Sequence, residues 1–317
     1  MNDIRLAFLG CGAAALMHSR TLRRIAPQVV RRYASRCGEK AAGFNQRLHG
    51  AGWYHSYASA LADDRIDVVL ITTPPSSHLA LTLAALQNGK HVIVEKPAFL
   101  TIHEFDTVEL AAQQAGRQVL VAENYYYKPI ARTLRQIIAN GEIGTVRFVF
   151  INALKWQRAA GWRANPELAG GGPLFEGGIH WLNLLANLGP ELISAEVAEC
   201  GSPLTTVLTA RFANGATGVL AYSWELRSPL RGLRLSRVYG THGSIAFESN
   251  GLFVFVRGRR TRLQFPDPMD LPGYGAMFRD FMAALREDRQ PEFTMASARH
   301  DVAMLQNAAT AFSSNPF

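Results

Sequence analysis

Lys96, Glu176 and His180 are the side chains whose types and settings suit them to hold a developing oxyanion and to pass a proton. Lys96 comes after Val92-Ile93-Val94-Glu95 and precedes Pro97. The apolar, β-branched run reads as a buried strand of a parallel sheet. Such strands deliver the residues after them to the carboxyl edge, where open α/β sheets bind ligands. Pro97 steers Lys96 away from helical backbone, so an ammonium group is expected at that edge. Taken alone, a lysine at a strand end is more often just solvated; the rest of the chain decides.

Glu176 and His180 stand four residues apart at the start of a helix expected to run to about Leu188. At about 100° per residue, Glu176, His180, Asn183 and Asn187 share a stripe roughly 60° wide. The remaining circumference carries Ile179, Trp181, Leu182, Leu184, Leu185, Ala186 and Leu188. A helix apolar almost all round is buried, and its polar stripe must find partners or line a cavity. A lone histidine there is usually a satisfied core residue. A carboxylate one turn before it is what an oriented proton donor looks like.

The elements that must carry these groups alternate. Arg5–Leu9 reads as a strand, and Gly10-Cys11-Gly12-Ala13-Ala14-Ala15 as a tight turn opening a helix to Ile25. This is G-x-G-x-x-A between a strand and a helix, the context in which the pattern binds a dinucleotide. Gly10 permits the turn, Gly12 lets a pyrophosphate approach, and Ala15 allows close helix–strand packing. The helix start at Ala13 and Ala14 offers N–H groups to the anion. The second strand, Gln28–Tyr33, leads to Ala34-Ser35-Arg36 and not to the acid that would bind a ribose 2′-hydroxyl. Ser35 and Arg36, with Arg32 nearby, suit a 2′-phosphate, so NADP(H) is favoured and NAD(H) is the alternative.

Further strands are expected at Val68–Ile71, Val92–Val94 and Gln118–Ala122, separated by helices over Gly38–His49, from the Thr72–His78 loop to Asn88, and from the Thr101-Ile102-His103-Glu104 capping box to Ala115. That rhythm is the sequence form of a doubly wound parallel sheet. After Asn124-Tyr125-Tyr126-Tyr127-Lys128-Pro129 it changes. A helix to about Asn140 and a long strand over Val146–Trp156 come first. Short strands then run over Thr205–Phe212, Thr217–Trp224, Leu233–Tyr239, Ser244–Glu248 and Leu252–Arg257. Two helices, Tyr274–Arg286 and Ala296–Phe312, finish the chain. The reading is α/β: a Rossmann domain over residues 1–123, then an α+β domain over 124–317 with a large, mostly antiparallel sheet.

The chain resembles the glucose–fructose oxidoreductase/inositol dehydrogenase/MocA (Gfo/Idh/MocA) family of NAD(P)-dependent oxidoreductases along essentially its whole length. The carriers are Gly10 to Ala15, Thr73-Pro74 with His78, Glu95-Lys96-Pro97, Trp162-Arg163, and Gly170-Gly171-Gly172 through His180. The resemblance implies hydride transfer between a nicotinamide and a carbonyl or alcohol carbon of a small, sugar- or polyol-like substrate. Lys96 would sit by the nicotinamide ribose and the substrate oxygen, His180 would donate or accept the proton with Glu176 behind it, and Glu95 would help hold the cofactor. Cofactor contacts would also come from Thr72, Thr73, Pro74, His78 and Asn124, and substrate contacts from Tyr126, Trp162, Arg163 and Asn183. The family's helix usually reads Asp-x-x-x-His-x-x-Asp. Here Glu176 and Asn183 replace the two aspartates, and Tyr126 stands where many relatives carry arginine.

Hydrophobic content of 48% and charged content of 18% describe an ordinary globular protein. The net charge of +8 suits an anionic ligand. Cys11, Cys37 and Cys200 are widely spaced, which argues against a disulfide framework or a zinc cluster and for a reducing, cytoplasmic setting. Phe8-Leu9-Gly10-Cys11 loosely imitates a lipoprotein cleavage site, but the apolar run before it is too short. No metal, membrane or nucleic-acid partner is expected. Arg257-Gly258-Arg259-Arg260-Thr261-Arg262 reads as a charged edge hairpin. Leu220, Tyr222 and Trp224 are expected on an open sheet face that pairs copies into a homodimer or homotetramer. A cofactor-sensing regulator on the same scaffold is the competing function.

Overall fold

The computed structural model describes residues 4–170, 172–198, 202–228 and 232–313. Gly171 of the glycine run and Cys200 lie outside them. The chain forms two compact units: residues 1–123 with 167–170 and 274–299, and residues 124–166 with 171–273 and 300–317.

In the first unit the strands are β1 (Arg5–Leu9), β2 (Val30–Ala34), β3 (Trp53–Tyr54), β4 (Val68–Ile71), β5 (His91–Glu95) and β6 (Val119–Ala122). They form one parallel sheet in the order β3-β2-β1-β4-β5-β6. β4 is buried at every position, because helices cover both faces of a parallel sheet. The helices are α1 (Ala13–Ile25), α2 (Gly38–Leu48), α3 (Tyr57–Leu61), α4 (His78–Gln87) and α5 (Ile102–Ala115). The capping box at Thr101 and Glu104 forms as expected. β3 and α3 escape sequence reading, since neither is long enough to show a period. The strand order reverses between β1 and β4, the switch point at which such sheets bind ligands.

The second unit opens with α6 (Asn124–Tyr127) and α7 (Pro129–Ala139), then strand β7 (Val146–Leu154). After the short α8 (Pro166–Ala169), all but the first residue of which belongs to the first unit, the second unit resumes with a π-helical turn over Leu174–Gly178 that runs directly into α9 (Ile179–Ala186). Seven more strands complete the sheet: β8 (Leu192–Ala198), β9 (Thr205–Phe212), β10 (Thr217–Ser223), β11 (Leu235–Gly240), β12 (Gly243–Glu248), β13 (Val254–Arg257) and β14 (Thr261–Gln264). Its order is β14-β13-β12-β11-β7-β10-β9-β8, antiparallel except where β7 and β10 run together. β14 is an edge strand, and there Arg262 forks onto Glu142 with one contact at 2.9 Å.

Two expectations are corrected. Leu220, Tyr222 and Trp224 do not lie on an open face; all three are buried. Alternation divides a strand into two faces without saying which one is covered, and α9 covers this one: a Cβ added to Gly218 would lie 3.0 Å from Leu185. The outward side carries Phe148, Tyr239, Phe255 and Leu263 instead. The helix α10 (Tyr274–Glu287) is also reassigned. It packs against α1 in the first unit, not in the second domain, because the apolar stripe Met277-Phe278-Phe281 is buried there. The last helix, α11, spans Met295–Ser313. Among the described residues no helix is long and apolar enough to cross a membrane. No three His, Cys, Asp or Glu side chains are grouped to hold a metal ion among those residues.

Candidate active site

The first unit builds an anion cradle. Gly10 adopts φ +112°, and a Cβ there would meet the carbonyl oxygen and hydroxyl of Thr72 at 3.0 Å, so only glycine fits. The Thr72 hydroxyl donates to the Gly10 carbonyl at 3.0 Å, tying β4 to the turn. α1 starts after Gly12 with no side chain capping it and no acid in its first turn. Nothing lies within 4 Å of a Cβ added to Gly12. An uncapped helix start under open space is the geometry a pyrophosphate requires, so these residues fit a dinucleotide.

At the end of β2 the Ser35 hydroxyl accepts the Cys37 N–H at 3.2 Å, while Arg36 is exposed. Burial pushes the Tyr57 phenol up, and the neighbouring Arg36 guanidinium opposes it. Burial likewise pushes the Cys11 thiol up to about 11, with Lys40 pulling the other way. Arg36 and Lys40 thus bring positive charge to the switch-point end of the sheet.

Lys96 comes directly after β5 and makes a cis peptide with Pro97. Its backbone N–H donates to Glu95 Oε2 at 3.1 Å. Glu95 Oε1 is held by Nε2 of His18, a fully buried residue on α1. Sequence reading missed His18, although its position on the buried α1 stripe Ala15, His18, Ser19, Leu22 marks it as an inward histidine. His78 is 1% exposed, with Nε2 2.9 Å from the Thr73 carbonyl and Nδ1 2.9 Å from that of Pro97. Burial lowers its pKa against the pull of those carbonyls. With a backbone carbonyl facing each nitrogen and one ring proton to give, His78 links the Thr73-Pro74 loop to the Lys96-Pro97 turn whichever nitrogen donates.

In the second unit, Arg163 Nε donates to Glu176 Oε1 at 2.7 Å and its guanidinium lies over the Trp162 ring at 4.4 Å. The structure therefore joins the Trp162-Arg163 pair to Glu176, which sequence reading had kept apart from it. Burial pushes the Tyr222 phenol up, and the Glu176 carboxylate adds to it; the hydroxyl donates to the Pro173 carbonyl at 2.9 Å. His180 is stacked on Tyr125 at 4.3 Å, with the planes 14° apart, and the Lys128 ammonium lies 4.2 Å from the centre of the Tyr125 ring. Tyr126 lies under the Arg135 guanidinium at 4.1 Å.

Two expected ligand contacts turn out to face the protein itself. Asn183 is fully buried, and its amide donates to Asp301 of α11 at 2.7 Å. Asn183 thus takes the first of the two courses open to a polar residue on a buried helix, an internal partner, while the π turn over Leu174–Gly178 shifts the phase of Glu176 alone against the regular turns of α9. Asn124 donates to the Pro272 carbonyl at 2.6 Å.

A parallel sheet with an anion cradle at its switch point, joined in sequence to a large open sheet, defines a nucleotide-binding oxidoreductase architecture. Residues 4–123 match the oxidoreductase family's NAD-binding Rossmann fold, and residues 131–246 match the GFO/IDH/MocA C-terminal domain. The chain belongs to the Gfo/Idh/MocA family. Oxidoreductase P35 of Formosa agariphila is 27% identical over 211 residues, covering 63% of this chain and 64% of its own. The NADP(+)-dependent D-xylose 1-dehydrogenase of Hypocrea jecorina is 35% identical over 162 residues, covering 46% and 41%. The matched stretch is thus less than two thirds of either relative's length. Levoglucosan dehydrogenase in complex with NADH shares the fold with a TM-score of 0.84 over 97% of both chains, at 22% identity.

Proposed function

We propose that the protein is a nicotinamide-dependent dehydrogenase or reductase, preferring NADP(H), that acts on a carbonyl or alcohol carbon of a small sugar- or polyol-like molecule. The observation that carries this reading is Lys96 at the carboxyl end of the same sheet whose switch point holds the uncapped glycine turn. A nicotinamide bound there supplies or accepts hydride. The chain's own residues do the rest. Lys96 holds the substrate oxygen as charge develops on it, and His180, its ring plane fixed by Tyr125, gives or takes the proton. Glu176 neutralises Arg163 and steadies the Trp162-Arg163 segment. The test is turnover of a panel of sugars, inositols and keto acids with NADPH, NADP+ and their NAD counterparts, monitored by nicotinamide absorbance. Cofactor binding with no turnover on any member would favour a cofactor-sensing regulator instead.

The cofactor preference rests on Arg36. Arg36→Ala is expected to weaken NADPH far more than NADH, by roughly 1.5–3 kcal/mol for a lost charge-assisted contact. Titration of both cofactors checks it, and an equal loss for the two would reject the preference.

The outward sheet side bearing Phe148, Tyr239, Phe255 and Leu263 supports a homodimer or homotetramer built by pairing that face with its copy. Light scattering at micromolar concentration should give a multiple of the chain mass, and Phe255→Glu should reduce it; a monomeric wild type defeats the reading. The unpaired thiols of Cys11 and Cys37 support a cytoplasmic location.

A further inference from the structure

His18 belongs to neither the dinucleotide pattern nor the proton-transfer stripe, yet it is fully buried on the helix that opens at the glycine turn. Its Nε2 meets Glu95 Oε1, and the other oxygen of the same carboxylate accepts the backbone N–H of Lys96 at 3.1 Å. Nδ1 is sealed from solvent without a hydrogen-bond partner, so the ring proton belongs on Nε2, where the carboxylate receives it. Tyr274 and Phe278 of α10 stand almost perpendicular to the imidazole, each with ring centres 5.2 Å away, and leave it little room to turn.

We infer that His18 is a positioning residue: from the helix that opens at the phosphate-binding turn, it holds Glu95 so that the peptide bearing Lys96 keeps one orientation. This rests on the proposed role of Lys96 in holding the substrate oxygen. A lysine side chain is long and freely rotating, so a scaffold fixes chiefly the direction in which it leaves the backbone. Here that direction is set by a peptide whose N–H is tied to a carboxylate, and the carboxylate is tied in turn to an imidazole packed between two aromatic rings. Without His18 the Glu95 carboxylate loses the group that holds Oε1, and the tie from Oε2 to the Lys96 peptide would loosen. Misplacement of a reacting group by about 1 Å costs as much as 10²-fold in rate.

The test compares His18→Leu, His18→Gln and Glu95→Gln with Lys96→Met, all in the full chain. With NADP+ and the panel sugar giving the highest turnover, His18→Leu should lower kcat about 30–100-fold while the affinity for NADPH stays within about threefold. His18→Gln keeps a donor at a similar reach and should recover most of the loss. The His18→Leu, Glu95→Gln double variant should cost no more than the worse single change, because the two act as one unit. A readout independent of turnover is acylation of Lys96 by acetic anhydride, mapped by peptide mass in unliganded protein. Its rate relative to Lys40 should rise at least threefold in His18→Leu. If His18→Leu does not fold, Glu95→Gln carries the same expectations for kcat and for acylation of Lys96. Wild-type turnover and acylation in a folded His18→Leu or in Glu95→Gln would overturn the inference. So would equal losses in the Leu and Gln variants, which would indicate packing alone. Near-normal turnover in Lys96→Met would instead remove the reading on which it rests.

Discussion

His180→Ala and Lys96→Ala are each expected to lower kcat by about 10²–10⁴-fold, the usual worth of general acid–base help, with NADPH affinity nearly unchanged. His180 lies on a helix of the second unit, stacked on Tyr125, whereas the glycine turn belongs to the first, so its loss leaves the cradle intact. Lys96→Arg should not rescue, because a planar, permanently charged guanidinium cannot replace a compact ammonium at a hydride-accepting carbon. Glu176→Gln should cost less, since Gln still accepts from Arg163. Steady-state kinetics on the best panel substrate, with separate cofactor titrations, decides the matter. Near-normal turnover in His180→Ala would pass the proton-transfer role to another group, with Tyr126 the first to test.

Asn183→Leu should be the most destabilising change on the α9 helix. It removes the amide that donates to Asp301, and both residues are almost completely buried. A hydrogen bond to a carboxylate is worth about 1.5–3 kcal/mol. A chain of two units need not unfold in one step, so the transition to monitor is the one that also moves with core changes such as Leu182→Ala. The KM for substrate should stay within about twofold. A raised KM with unchanged unfolding would return Asn183 to the substrate contacts that its place in the family's motif suggested.

Much of the first unit was legible because its signals are local. A β-branched run, the glycine turn and the Thr101–Glu104 box each work within a few residues, and all appear where their chemistry predicts. The site was legible only in its parts. Lys96 was found as the charge that ends a buried strand, and His180 as the polar residue that interrupts an apolar helix. The pairings His18 with Glu95 and Asn183 with Asp301 join residues 77 and 118 positions apart, and no periodicity reports such a partnership. The π turn escaped because a helical wheel assumes one pitch throughout. The inward face of β10 escaped because alternation has no sign until a helix lies down on one side.

The packing of α10 on α1 also governs how the chain emerges from a ribosome. Residues 1–123 hold every strand of the parallel sheet, but the cover for the His18 side of α1 arrives with Tyr274–Glu287. At ordinary elongation rates of about 5–20 residues per second, the 164 residues from 123 to 287 take roughly 8–33 s to make. For that interval the nascent sheet carries an apolar groove that the polypeptide has not yet supplied the means to fill. A nascent-chain arrest series should find the Rossmann unit sensitive to protease and bound by holdase chaperones at lengths short of residue 287, and protected once that helix clears the exit tunnel.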